Sequence, residues 1–221
     1  MDLKSRKDIV FLVLAGFFIT NAIVAELIGG KLVQFFDLFT QSIGIILWPV
    51  IFLLTDLINE YYGKDGVKKL TYITVGLISF TFIILSIALS IPATSFSPVS
   101  DSVFNTIFGQ SQWIIVGSII AFLLSQLVDV YVFWMFKKVT GDKHIWLRAT
   151  GSTMVSQLID TFVVQFIAFV LPGKWPFSEF LTNASWGYAF KLLVALALIP
   201  MIYLGHYVIG KYLKKHTTVN I

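Results

Sequence analysis

Cysteine is absent from the 221 residues, which excludes disulfide staples and thiolate metal sites. Histidine is scarce too: three scattered residues do not make a transition-metal centre. The chain also lacks G-x-x-x-x-G-K-[ST], G-x-S-x-G and H-E-x-x-H, so nothing in it suggests ATP hydrolysis, nucleophile-elbow chemistry or zinc proteolysis. No cofactor and no catalytic residue are expected. Charged residues make up only 13%, against about 25% in soluble domains. What remains is apolar: 57% hydrophobic, 16% aromatic, mean hydropathy +0.85. Such a chain is an integral membrane protein, and its length holds about six spans of about 20 residues with no separate soluble domain. The expected fold class is all-α, a polytopic bundle of six transmembrane helices forming one domain over residues 1–221.

The hydrophobic runs place the spans at about 9–29, 42–61, 70–91, 112–136, 149–171 and 185–210. The first lacks an A-x-A cleavage site and carries polar residues at its far end, so it reads as a retained helix. The third is apolar almost throughout, stops at Pro92, and is expected to face lipid. Basic residues gather on alternate connections: Lys4, Arg6 and Lys7; Lys64, Lys68 and Lys69; Lys137, Lys138, Lys143 and Arg148; Lys211, Lys214 and Lys215. Only Lys31 and Lys174 fall on the other side, which predicts that both termini are cytoplasmic. The net charge of +4 is therefore an orientation signal, and no nucleic-acid partner is expected.

Within the spans stand ionisable groups that are costly at membrane depth, about 2.5 to 3.5 kcal/mol each on insertion scales. Asp56 and Glu60 lie one turn apart on one helical face, with Asn59 beside Glu60. Glu26 and Asn21 interrupt the first span. Ser125-Gln126-Leu-Val-Asp129 in the fourth recurs as Ser156-Gln157-Leu-Ile-Asp160 in the fifth, and Glu26-x-x-Gly29 resembles Glu60-x-x-Gly63. Internal repeats of this kind are common in transporters, whose polar positions meet near the midplane. Lys191 either snorkels to the outer interface or pairs with Asp56, Asp129 or Asp160, the pairing being the expectation, and Arg148 reads as an anchor at the cytoplasmic interface. Trp48, followed by Pro49, offers an aromatic face next to a kinked backbone. These groups are expected to converge, with Lys191, Glu26 and Asn21 as gating or charge-pair residues.

Four stretches together resemble the queuosine precursor transporter family, six-span bacterial membrane proteins with a vitamin-uptake-like domain. They are WPVIFLLTDLINEYYGKDGVKKL, SQLVDVYVFWMFKKVTG, WLRATGSTMVSQLIDTFVVQFIAFV and YAFKLLVALALIPMIYL. Thr55-Asp56, Gln126 with Asp129, Ser152-Thr153, Asp160-Thr161 and Phe190-Lys191 fall in the family's order and spacing. The resemblance implies import of 7-deazaguanine precursors (preQ0 or preQ1) for tRNA modification across the bacterial cytoplasmic membrane, by a secondary carrier. A guanine-like edge offers adjacent N–H donors to a carboxylate and a carbonyl to an amide, and its face suits an aromatic ring. Asp56, Glu60, Asp129 and Asp160 are then the candidate acceptors, Gln126, Gln157 and Asn59 the amide partners and Trp48 the stacking wall. Two other readings stand beside this one: the substrate-binding subunit of an energy-coupling-factor importer, and an intramembrane lipid-modifying enzyme, which would need a nucleophile or metal cluster that the sequence lacks. Association as a homodimer is left open.

Overall fold

The computed structural model describes residues 5–37, 39–109, 112–141 and 144–214. Lys4, Lys143 and Lys215 of the basic pattern lie outside the described residues. Helix α1 (Arg6–Ile28) starts at Ser5, whose side chain accepts from the Lys7 amide. An antiparallel hairpin follows, β1 (Leu32–Phe35) with β2 (Phe39–Ser42), and then a single 3-10 turn (Ile43–Ile46). The sequence gives this hairpin little signal, because 31–41 is short and mixed in composition. It is held from outside: Phe35 and Phe39 stack on each other and meet Phe190 at 5.4 and 5.9 Å, while the Thr40 amide donates to Asn183 Oδ1 at 3.1 Å. Gly44 lets the 3-10 turn approach α1, since a β-carbon there would stand 2.6 Å from the Ala25 carbonyl oxygen.

The expected second and third spans, and the basic segment between them, form one long helical element, α2 (Trp48–Ser90), broken only at Gly63. Its 43 residues would measure about 65 Å if straight, twice the hydrocarbon thickness. Gly63 instead turns the chain back at φ 72° and ψ −175°, a region essentially restricted to glycine. The reversal is visible in a contact: a β-carbon on Gly66 would lie 3.9 Å from Ile58, whereas residues eight apart in a straight helix are separated by about 12 Å. The second arm turns Thr74, Ile78 and Phe82 inward and leaves Phe80, Ile83, Ile84 and Ile87 exposed, as a lipid-facing helix should.

A short helix α3 (Asp101–Phe108), capped by Ser100, lies within the expected loop 92–111. Then come α4 (Gln112–Thr140), α5 (Ile145–Gln165) with a wide π turn over Phe166–Val170, α6 (Phe177–Ala197) and α7 (Ile199–Lys214). The expected sixth span is thus two helices bent by 43°. Pro200 explains the break: it has no N–H to give to the preceding turn and sits at the start of α7, where none is needed. Among the described residues four helices are long and apolar enough to cross a membrane, or five when α6 and α7 count as one span. This is an all-α polytopic membrane fold.

Several of the described basic residues gather at one end. Arg6 Nη1 donates to the Tyr212 carbonyl (2.9 Å), the Tyr62 hydroxyl donates to the Lys7 carbonyl (2.6 Å), and Lys137 reaches Glu60. The start of α1, the Gly63 turn and the ends of α4 and α7 therefore share that end. Helix contacts run through small residues, with Ala22, Ala121, Ala149, Ala168 and Ala184 fully buried, as expected where lipid is as apolar as the interface.

Gly63→Ala should lower the melting temperature of the detergent-solubilised protein, since the substitution forces a strained backbone worth about 1 to 3 kcal/mol. Gly76→Ala, on the same helix with open space around it, serves as the control and should melt at or slightly above the parent temperature. Equal melting of the two variants would show that the Gly63 turn is not strained.

Candidate functional site

Helix α5 is built inside out. Arg148, Ser152, Thr153, Ser156, Gln157, Asp160, Thr161 and Gln165 recur every three or four residues and are all buried. Met154, Val155 and Leu158 are exposed on the opposite side. In water this arrangement would fail; in a bilayer it is the one that keeps polar groups from hydrocarbon.

Helix α4 faces this stripe, and the repeated pentapeptides meet crosswise. Ser156 Oγ donates to Asp129 Oδ1 at 3.0 Å, and Ser125 Oγ approaches Asp160 Oδ1 at 3.4 Å. Each serine of one repeat thus serves the aspartate of the other. The Glu-x-x-Gly likeness has no such counterpart in geometry, for Gly29 has an ordinary φ of −60° and Gly63 is the left-handed turn. The first arm of α2 joins from the side, where Thr55 Oγ1 bonds Gln126 Oε1 at 3.3 Å.

Two ion pairs bracket the region. Lys191 on α6 bonds Asp160 Oδ2 at 2.9 Å, choosing one of the three partners open to it in sequence. At the basic end Arg148 grips Glu60 with two nitrogens, Nη2 to Oε1 at 2.7 Å and Nε to Oε2 at 3.1 Å, and Lys137 adds a third contact at 3.4 Å. Arg148 is fully buried and also donates to the Gly141 carbonyl. It is therefore not the interfacial anchor that its position before a span suggests; the missed signal was its place on the α5 polar stripe.

Two cavities meet at Lys191. The inner one, about 30 Å³, is lined by Trp48, Phe52, Asp56, Thr153, Gln157 and Phe190 among others. The outer one, about 100 Å³, is lined by Glu26, Gln41, Ser118, Asp160, Gln165 and Trp175 among others. Ile45, Trp48 and Lys191 line both and so form the partition. Each cavity is smaller than the roughly 300 Å³ of the smallest ordinary ligand sites, so a bicyclic ring requires the partition to move.

Asp56, Gln157 and Trp48 thus stand on the inner cavity, and Asp160 and Glu26 on the outer. Gln126, Asp129 and Asn59 are buried but line neither cavity; they form a layer behind it. Glu60 is committed to its ion pair. Asn21 donates to the Phe17 carbonyl of its own helix and lines neither cavity. Thr153, Phe190 and Gln165 are cavity residues that sequence reasoning did not single out as site residues; polar letters at helical spacing along α5 were the available signal for two of them. Several buried atoms of this region have no hydrogen-bond partner: Asp56 Oδ1, both side-chain atoms of Asn59 and of Gln157, Gln126 Nε2, Asp129 Oδ2 and Gln165 Oε1. Native proteins rarely leave so many polar atoms unserved, and their concentration here marks a place for water or a polar ligand.

Removing one partner of the Glu60–Arg148 pair should cost about 3 to 5 kcal/mol, because a buried charge loses its two-nitrogen contact with the opposite charge. Glu60→Gln is expected to melt well below the parent protein, and Glu60→Gln with Arg148→Met to recover much of the loss. Additive losses in the double variant would show that the two side chains do not act as a pair.

A family model described as "putative vitamin uptake transporter" matches residues 42–205, from the 3-10 turn region to α7. A relative from Bacillus subtilis (strain 168), "Probable queuosine precursor transporter", is 35% identical over 175 residues, 78% of this chain and 74% of the relative. The "Queuosine precursor transporter" of Escherichia coli (strain K12) is 26% identical over 166 residues, 74% of this chain and 72% of the relative. No solved structure matches the chain. All these relatives are named as transporters rather than enzymes, and the chain belongs to the vitamin uptake transporter family that the matching model describes.

Proposed function

We propose that this protein imports queuosine precursors, 7-deazaguanine bases, across the bacterial cytoplasmic membrane as a secondary carrier. The observation that carries the reading is the inner cavity itself, where Asp56 and the unpartnered amide of Gln157 stand beside the ring of Trp48. A deazaguanine edge presents N–H donors that a carboxylate accepts and a carbonyl that an amide N–H satisfies. The ring face then packs on Trp48, whose indole already contacts Phe52 and Phe122 at 6.0 and 5.8 Å.

The path follows from the partition. The base enters the outer cavity past Glu26, displaces Trp48 and the Lys191–Asp160 pair, and reaches the inner cavity. The Glu60–Arg148–Lys137 cluster closes the basic end and opens to release it. Six spans result when the two arms of α2 count separately and α6 with α7 counts as one. The gathering of Arg6, Lys7, Lys64, Lys68, Lys137 and Lys211 at one end supports cytoplasmic termini.

The test is a bacterial strain that cannot make queuosine and lacks its own precursor transporter, expressing this chain alone and supplied with a 7-deazaguanine precursor. Modified tRNA should reappear, and Asp56→Asn or Gln157→Ala should cut the uptake rate about 10- to 100-fold, the loss of one hydrogen bond to a charged or buried group. Full uptake in Asp56→Asn would remove that carboxylate from the site. Failure of the parent chain with every deazaguanine tried would remove the function.

A further inference from the structure

Buried acids outnumber the cations that serve them. Among the described residues, Glu60 is held by Arg148 and Lys137, and Asp160 by Lys191. Asp56 on α2 and Asp129 on α4 have no Lys, Arg or His within ion-pair distance among the described residues, although they are only 4% and 1% exposed. One oxygen of each is unpartnered, Asp56 Oδ1 and Asp129 Oδ2, and the donors beside the Asp129 carboxyl are neutral hydroxyls, Ser156 at 3.0 Å from Oδ1 and Ser152.

The two helices are held side by side by the Thr55–Gln126 bond, and both run toward the basic end. Asp56 follows Thr55 by one residue and Asp129 follows Gln126 by three, so the carboxyl groups lie within about one helical turn along the axis. Two carboxylate anions this near each other, away from water, are disfavoured twice over, by lost hydration and by mutual repulsion. A separate observation shows that the vicinity is built for a ligand. Gln157, 1% exposed with both amide atoms unpartnered, lines the same inner cavity as Asp56.

We propose that Asp129 holds a proton in the base-loaded carrier, so that base binding at Asp56 is linked to protonation of the Asp56–Asp129 pair. The inference rests on the import reading above and adds the coupled ion. When the base arrives, its N–H donors commit Asp56 to being an acceptor. Asp129 behind it then has no donor for Oδ2, and as an acid it supplies one itself. Its proton can point to an unpartnered amide oxygen, such as that of Asn59 one turn beyond Thr55 on α2. The other charged and titratable groups facing the pair are already engaged. Glu60, Lys137 and Arg148 form the cluster at the basic end, Asp160 and Lys191 pair across α5 and α6, and His206 of α7 is bonded to the Tyr61 hydroxyl at 2.9 Å. Glu26 lies beyond the partition, on the outer cavity.

The sign follows from linkage: if the protonated pair is the form that binds, affinity is full at low pH and falls as pH rises past the titration of Asp129. Titration calorimetry on the purified full chain in lipid nanodiscs, with a neutral 7-deazaguanine as the probe, reads this directly. Two buffers of different ionisation enthalpy give the number of protons taken up. On the alkaline side we expect uptake approaching one proton per base and an affinity that falls about tenfold per pH unit. Ser156→Ala removes a donor to the Asp129 anion and keeps the carboxyl group, so the fall should move to higher pH. Asp129→Asn should bind with no proton uptake and a flat pH profile. Binding by the parent chain without proton uptake, with equal affinity at acid and alkaline pH, would overturn the proton site and leave the import reading standing. An unmoved profile in Ser156→Ala would remove Asp129 as the titrating group. No binding of any deazaguanine at any pH would overturn the import reading itself.

Discussion

A backbone or side-chain polar group inside a bilayer finds no water to bond, and the architecture of this chain is shaped by that constraint. It explains why α5 carries its polar residues inward and its methionine and valine outward, the reverse of a soluble helix. It also explains why α4 is the helix that α5 meets, since only a second polar stripe can serve the first. The crosswise bonds, Ser156 to Asp129 and Ser125 to Asp160, are the local solution, and they use the same five-residue pattern twice. The hairpin obeys the same rule: its backbone amide at Thr40 is bonded by Asn183 of α6.

Satisfaction is uneven, and the unevenness has a direction. Towards the basic end the Glu60 carboxylate is held by both Arg148 and Lys137. At the partition Lys191 and Asp160 are matched. Between them Asp56, Asn59, Gln157 and one oxygen of Asp129 are left unserved. Each such group costs about 1 to 3 kcal/mol, a destabilisation the fold retains at and behind the inner cavity. A ligand that bonds these atoms recovers that free energy, and a ring lacking the right donors does not, which makes the same groups a source of selectivity.

Much of this was legible in the sequence because polar letters stand out in apolar runs. Asp56, Gln157, Asp160 and the repeated Ser-Gln-x-x-Asp pattern were visible as a face before any coordinates. The sequence narrows the partner of Lys191 to three aspartates and no further, because distance between helices is not written in spacing along one helix. Arg148 differs from its sequence expectation for a related reason: a basic residue at the start of a span looks like an anchor unless its neighbours one turn on are recognised as an inward stripe. Gly63 lay in a segment rich in lysine, so composition suggested a loop, whereas one glycine-only dihedral pair reverses the chain and leaves the rest helical. The hairpin has no local signal, since its stability comes from Asn183 and Phe190, 143 and 155 positions away from Thr40 and Phe35 in the chain.

The central claim is that the unserved atoms around the inner cavity are the ones a planar nitrogenous base bonds. An experimental structure of the protein with a bound 7-deazaguanine tests it most directly. The account predicts the ring against Trp48, its N–H edge on Asp56, and the Gln157 amide turned to meet it. A ring bound elsewhere, with Asp56 and Gln157 still unpartnered, would contradict it.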